Sequence, residues 1–229
     1  MPKANATSSA IVSKEPSGPA DPSKLDRAAI VAAGMGLLAR KGLRGLSLRA
    51  IAAVLDVAPN ALYHHVADRK ALESMLAAEV SVLLHTAIRR KTDTAHKSSE
   101  EAIRALAAEY MRFAREERLL YEALLVPRPA VGADAIAPEQ LWLFVLNLVT
   151  EVSGKAAAHE ATVALWAFLH GMASLQSVNA FDDEKPFSSF DFGLQAWMRA
   201  ASAARLAEED RARSKIKAAR NQVAVRRSR

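Results

Sequence analysis

The chain has 229 residues, 51% hydrophobic and 24% charged, with a net charge of +6 and no cysteine. That length fits one large domain or a small head on a larger body, and the composition is neither collagen-like nor disordered throughout. Without cysteine there is no disulfide, iron–sulfur cluster, Cys-ligated zinc or Cys nucleophile, which suits a reducing compartment, and a cytoplasmic location is expected.

Residues 1–23 are rich in Ala, Ser, Pro and Lys without periodicity and are expected to be a disordered arm. Ile30, Gly34, Leu37 and Leu38 share one helical face and predict a helix over about 25–40, with Gly42 placed as its C-cap. Ser47 is an N-cap for LRAIAAVL, whose Leu48, Ile51 and Leu55 face one way. After Asp56-Val57-Ala58, Pro59 opens a very short third helix to about His65. Asp68 caps a long helix to about Arg90, and Ser98 with Glu101 forms a capping-box pattern before AIRALAAEYMRFAREE. The segment RLLYEALLV stops at Pro127. Pro138 opens a helix closed by Gly154, a further helix covers about 158–178, and the last begins near Ser188 and continues through EED. No stretch alternates with period two, so the expected class is all-α. The 21 charge-free residues 161–181 include His170, Ser174, Gln176, Ser177 and Asn179, and read as a buried helix rather than a membrane span.

Charge is unevenly placed. Residues 1–75 carry ten Lys and Arg against six Asp and Glu, residues 76–204 twelve against sixteen, and residues 205–229 nine against three. An acidic middle between basic ends outlines a polyanion-binding head, a body and a basic tail. The expected division is an arm (1–23), a polyanion-binding head (24–67), a helical body (68–210) and a basic tail (211–229). The tail's apolar stripe fades after Leu206. It is expected to lose order past about residue 215, and either to attract the same polyanion non-specifically or to keep the chain soluble.

The most informative stretch is SLRAIAAVLDVAPNALYHHVADRKAL, residues 47–72. Two helices of about seven residues each are too short to stand alone, since isolated helices need about 12–15 residues. They must pack on each other and on the helix over 25–40, with Ala52 at the crossing. That leaves the exposed side of Pro59–His65 to enter a groove, which is the helix-turn-helix arrangement. Ser47, Ile51, Ala52, Val57, Leu62, Tyr63, His65, Val66, Lys70 and Leu72 together resemble the DNA-binding head of the TetR/AcrR family of bacterial repressors. Leu62-Tyr63-x-His65-Val66 is similar to the tetracycline-repressor branch, and LWLFVLNLVTEVSG and FDFGLQAWMRAASA resemble the body of that branch. The likeness spans about residues 25–204. Two positions depart from the pattern: Asp56 replaces the turn glycine, and Ala58 replaces a capping serine usually worth about 1 kcal/mol.

The resemblance implies a three-helix head with a helix-turn-helix, a larger helical body for effector binding and dimerisation, and a homodimer on a palindromic operator. With the chemistry of the side chains it assigns base reading to Arg49, Pro59, Asn60, Ala61 and His64, Arg being the usual reader of guanine and Asn of adenine. Phosphate contact falls to Ser47, Tyr63, His65, Arg69 and Lys70, the last two at a helix N-terminus. Leu165, Phe168, Leu169, Met172, Phe192 and Trp197 are the expected dimer face. Tyr110, Met111, Phe113, Tyr121, Trp142, Phe144, Asn147, Trp166 and His170 offer apolar walls with a few polar groups, as a small-molecule pocket requires. The expected effector is small and apolar or amphipathic. Glu116 and Glu117 stand where the branch carries His-Pro, so tetracycline is not the expected ligand.

No two of His85, His96, His159 and His170 are at i,i+4 spacing, and neither a metal nor a cofactor is expected. Ser214 and Lys217 satisfy Ser-x-x-Lys within a charged tail, where nothing desolvates the lysine, and no nucleophile elbow or phosphate-cradling loop occurs. The reading is therefore a non-enzymatic transcriptional regulator, a repressor released from its operator by a small molecule. The alternative is a DNA-binding architectural or partner-controlled protein without an effector. A cavity between residues 110 and 172 favours the first, and a solidly packed body the second.

Overall fold

The computed structural model describes residues 25–93, 98–125, 132–180 and 186–227, and the expected N-terminal arm lies outside them. Among the described residues there are nine α-helices and no strand. Helix α1 (Arg27–Lys41) starts where the Asp26 side chain accepts from the Ala29 amide at 2.8 Å, and ends at Gly42, whose amide donates to the Leu38 carbonyl. Gly42 has φ 62° and ψ −170°, a conformation open to glycine and strained for other residues. A 3-10 turn (Leu43–Gly45) leads to α2 (Leu48–Leu55) and α3 (Pro59–Leu62). These short helices persist because Leu48, Ile51, Ala52, Leu62 and Val66 are buried against Ile30, Leu37 and Leu38 of α1, each large side chain contributing about 1.5–3 kcal/mol. Gly34 lets α1 approach closely: a Cβ there would stand 2.8 Å from Leu76 of the next helix.

Helix α4 (Arg69–Thr92) is capped by Asp68, which accepts from the Ala71 amide at 2.7 Å. It runs from the head into the body. It is long and apolar enough to cross a bilayer, yet Leu72, Leu76, Val80, Leu84 and Ile88 are almost wholly buried, as in a core helix. The Ser98–Glu101 capping box starts α5 (Ser99–Glu116), which returns towards the head, and α6 (Arg118–Leu124) follows after one residue. A 3-10 turn (Gly132–Ala135) leads into α7 (Ile136–Ser153), two residues earlier than expected. Pro138 thus sits in the first turn, where its missing N–H costs nothing. Helices α8 (Ala158–Ser177) and α9 (Pro186–Arg227) complete the body, and one buried apolar cluster extends from Ile30 to Ala201.

Two boundaries differ from expectation. Helix α3 stops at Leu62, and the chain reaches His65 as a turn closed by the His65 amide on the Leu62 carbonyl at 2.9 Å. Without a capping side chain at Ala58, little favours a longer helix. At the other end α9 continues unbroken to Arg227 instead of fading past 215. Residues 194–229 contain no Gly or Pro, and a helix already nucleated in the body extends easily through Ala, Arg, Lys and Gln.

Candidate functional site

The head exposes polar side chains on α2, on α3 and on the turn that follows α3. The Ser47 hydroxyl accepts from the Ala50 amide at 3.0 Å and starts α2, so that Arg49 in the first turn points outward and is exposed. Asp56 takes the left-handed conformation (φ 53°, ψ 46°) that a turn glycine would adopt, and Asp tolerates this better than most residues. The Val57 amide closes the turn on the Ala52 carbonyl at 3.0 Å. Pro59, Asn60, His64 and His65 are exposed, Ala61 is half-buried, and Tyr63 is 56% exposed although it follows fully buried Leu62. Lys70 is exposed at the start of α4. The structure thus brings Arg49, Pro59, Asn60, Tyr63, His64, His65 and Lys70 out on the elements framing one turn. Arg69 differs: its guanidinium donates to Glu73 at 2.8 Å and to the Leu43 carbonyl at 3.0 Å, tying α4 to the 3-10 turn.

A second cluster lies in the body between α5, α6 and α8. The Tyr110 hydroxyl is 2.5 Å from Nδ1 of His170 and 3.2 Å from the Tyr121 hydroxyl, which is itself 2.8 Å from that nitrogen. Burial pushes both tyrosine hydroxyls above their usual range and lowers the pKa of His170, so all three are neutral at physiological pH. Trp166 meets Tyr110 edge-on at 5.9 Å and His170 at 5.5 Å. Trp142 continues the array to Trp166 at 6.4 Å and to His159 at 5.7 Å.

Met111 and Phe113 are buried on α5, and Phe144 packs on His85 at 4.9 Å. Asn147 is exposed on the outer side of α7 and does not join the cluster, because the inward positions of that helix are Leu141, Val145, Val149 and Val152. Glu109, 4% exposed, accepts both hydrogen bonds of a fork from Arg112. Among the described residues no group of three or more His, Cys, Asp or Glu is arranged to hold a metal ion.

Beyond the shared apolar cluster and the Arg69 tie, two further contacts link the body to the head. The Leu119 side chain on α6 lies against Gly42, with Cδ2 3.1 Å from where a Cβ would stand. Arg27 at the start of α1 pairs with Asp134 in the turn before α7. Neither contact has a local sequence signal, since each pairs residues far apart in the chain. The same holds for His159 beside Trp142.

The expected dimer face needs correction. Leu165 and Leu169 are 0% exposed and Met172 is buried, so all three fill the core of the single chain. Phe168 stacks on Phe190 at 5.7 Å, and Trp197 donates to the Ala161 carbonyl at 3.0 Å, so both hold α8 to α9 within one molecule. Phe192 alone of the six is freely exposed, at 70%. The outward side of this pair carries Val163, Ala164, Ala167, Gly171, Leu175 and Val178 on α8, with Phe192, Ala196, Ala200 and Ala203 on α9.

Comparison with known proteins agrees with both halves. Residues 30–72 match the family described as bacterial regulatory proteins, tetR family, and residues 103–197 match the tetracyclin repressor-like C-terminal domain, together more than half of the chain. The HTH-type transcriptional regulator YobS of Bacillus subtilis (strain 168), itself uncharacterized, is 28% identical over 173 residues, 74% of this chain and 88% of that one. Among solved structures, SCO7222, a TetR from Streptomyces coelicolor, is similar with a TM-score of 0.64 at 21% identity, over 79% of this chain and 99% of its own. A protein of unknown function from Rhodococcus sp. RHA1 has a TM-score of 0.65 at 25% identity, over 77% and 95%. A TetR variant from Acinetobacter baumannii AYE in complex with minocycline has a TM-score of 0.57 at 24% identity, over 77% and 96%. With a helix-turn-helix head that exposes cations and hydrogen-bonding groups around its turn, the chain belongs to the TetR family of DNA-binding transcriptional regulators.

Proposed function

We propose that this regulator is a non-enzymatic, cytoplasmic repressor whose homodimer holds a palindromic operator and releases it when a small, neutral, aromatic or amphipathic molecule enters the body. The observation that carries the effector is the trio of Tyr110, Tyr121 and His170. These are three neutral hydrogen-bonding groups converging within the apolar rings of Trp166 and Trp142. Apolar walls with a few convergent polar groups select a ligand that is largely apolar and carries one donor or acceptor. An ionised ligand would lose its hydration without finding an opposite charge in the trio.

Release follows if the ligand favours an arrangement of the heads that does not fit the operator, and linkage then requires the operator to weaken the ligand by the same factor. Helix α6 supports a short route for this coupling, since Tyr121 stands in the trio while Leu119 abuts Gly42 of the head. Base reading by Arg49, Asn60 and His64, with Pro59 and Ala61 against thymine methyls, and phosphate contact by Ser47, Tyr63, His65 and Lys70 are part of this reading, supported by the exposure of most of them around the turn. Arg69 acts as a structural tie. Dimerisation uses the outward side of α8 and α9, whose small residues permit close helix approach.

The test is emission from Trp142 and Trp166, titrated with a panel of neutral aromatic compounds and with charged aliphatic ones. Neutral aromatics that change this emission should also lower operator affinity, and Trp166→Phe should remove most of the signal. Compounds that release DNA without any change in emission from Trp166 would overturn the placement.

A further inference from the structure

The C-terminal part of α9 stands apart from both sites. Residues 211–229 contain eight basic side chains and no acidic one. Helix α9 is tied to the body through Arg205, which donates to the Glu151 carbonyl, and through Glu208, which accepts from the Ala156 amide at 3.2 Å. Beyond these, every described side chain from Asp210 to Lys217 is exposed. Glu151 and Arg205 lie beside Ser98 and Glu100, at the start of α5 and so at the end of the body furthest from the head.

The 24 residues of α4 separate the two ends by about 36 Å. Helix α9 then runs outward from Arg213 to Arg227, a further 22 Å or so. The exposed cations Arg211, Arg213, Lys215 and Lys217 are thereby carried away from the DNA beneath the head. They cannot reach the same stretch of duplex.

We propose that this projecting basic helix binds the phosphate backbone of a second DNA duplex, so that the bound regulator bridges two duplexes. A solvated α-helix about 10–12 Å across fits a major groove about 12 Å wide, and basic helices enter that groove. A membrane surface fits less well. After Leu206 the bulky apolar residues are Ile216, Val223 and Val225 alone, with no aromatic, whereas a helix lying in a bilayer interface buries a continuous bulky apolar face.

The test uses the full chain and the triple variant Arg211→Glu, Lys215→Glu, Lys217→Glu, all exposed positions where a charge change leaves the packing intact. Protein is loaded on a bead-tethered 40-base-pair duplex of random sequence, and capture of a second, fluorescent duplex is measured between 50 and 200 mM NaCl. Vesicles of phosphatidylcholine with phosphatidylserine are offered in parallel. The wild type should capture the second duplex, and the variant should lose capture while staying on the tether. Neutralising three phosphates contributes about 2.7 to the logarithmic salt slope, roughly a 40-fold difference over this fourfold range of salt. Equal capture by both proteins, capture by neither, or charge-dependent binding to the vesicles without capture of a duplex would overturn the proposal.

Discussion

Replacing His170 with Asn should remove an acid sensitivity that the wild-type fold carries. Burial disfavours the imidazolium, so the pKa of His170 in the folded chain lies below the value of about 6.5 expected when unfolded. Below that value the unfolded chain binds a proton that the folded chain resists, and stability falls as pH drops. The contribution is fully present above about pH 7 and is lost on acidification, at no more than about 1.4 kcal/mol per pH unit for one proton. At about pH 5.5, one unit below the unfolded pKa, the loss reaches up to about 1.4 kcal/mol. Asn places an amide where Nδ1 now meets the two hydroxyls at 2.5 and 2.8 Å, so it keeps a hydrogen-bonding partner without titrating. Urea unfolding of both proteins from pH 8 to pH 5 isolates the effect, because carboxylates and His85 contribute to both curves and cancel in the difference. The wild type should lose up to about 1.4 kcal/mol relative to the variant between pH 8 and pH 5.5. Parallel curves would show that His170 is freely protonated in the folded state, and the neutral trio would be wrong.

On the head, Tyr63→Phe and Lys70→Ala should weaken operator and random duplex alike, whereas Arg49→Ala should narrow the gap between them by about 1–3 kcal/mol, as fixed-salt titrations against both duplexes would show. Arg69→Ala should lower the melting temperature by a few degrees and leave the salt slope of DNA binding unchanged, because its guanidinium is engaged by Glu73 and the Leu43 carbonyl. A Cβ at Gly171 meets nothing within 4 Å, so Gly171→Glu should give folded monomers by sedimentation and circular dichroism. Leu169→Glu, at a fully buried position, should unfold the chain.

The helix starts were legible in head and body alike because their signals are local. Ser47, Asp68 and the Ser98–Glu101 box each predict a helix start within three residues of themselves, and each forms the expected hydrogen bond. The departures at Asp56 and Ala58 were equally readable, as a left-handed turn residue and a helix start without a side-chain cap. The body was harder. Helix α8 is apolar on both sides, so its periodicity finds two stripes without saying which is inside. Sequence reasoning chose the one through Leu165 and Leu169, which the core had already taken. Asn147 was misplaced for a related reason, since α7 has apolar residues around most of its circumference. The trio itself joins residues 11, 49 and 60 positions apart, and no spacing rule links them.

The seven residues of α6 make less than two turns. Leu119 and Tyr121 are two positions apart, about 200° around that helix, and so face in nearly opposite directions. Any molecule that displaces the Tyr121 ring sideways therefore acts on a roller with the head's Gly42 pressed against its far side. A rotation of about 20° at a side-chain radius of about 5–6 Å moves Leu119 by roughly 2 Å. Leu119 Cδ2 would stand only 3.1 Å from a Cβ at Gly42, so a shift of that size is comparable to the whole gap between the two and reaches the end of the head's first helix.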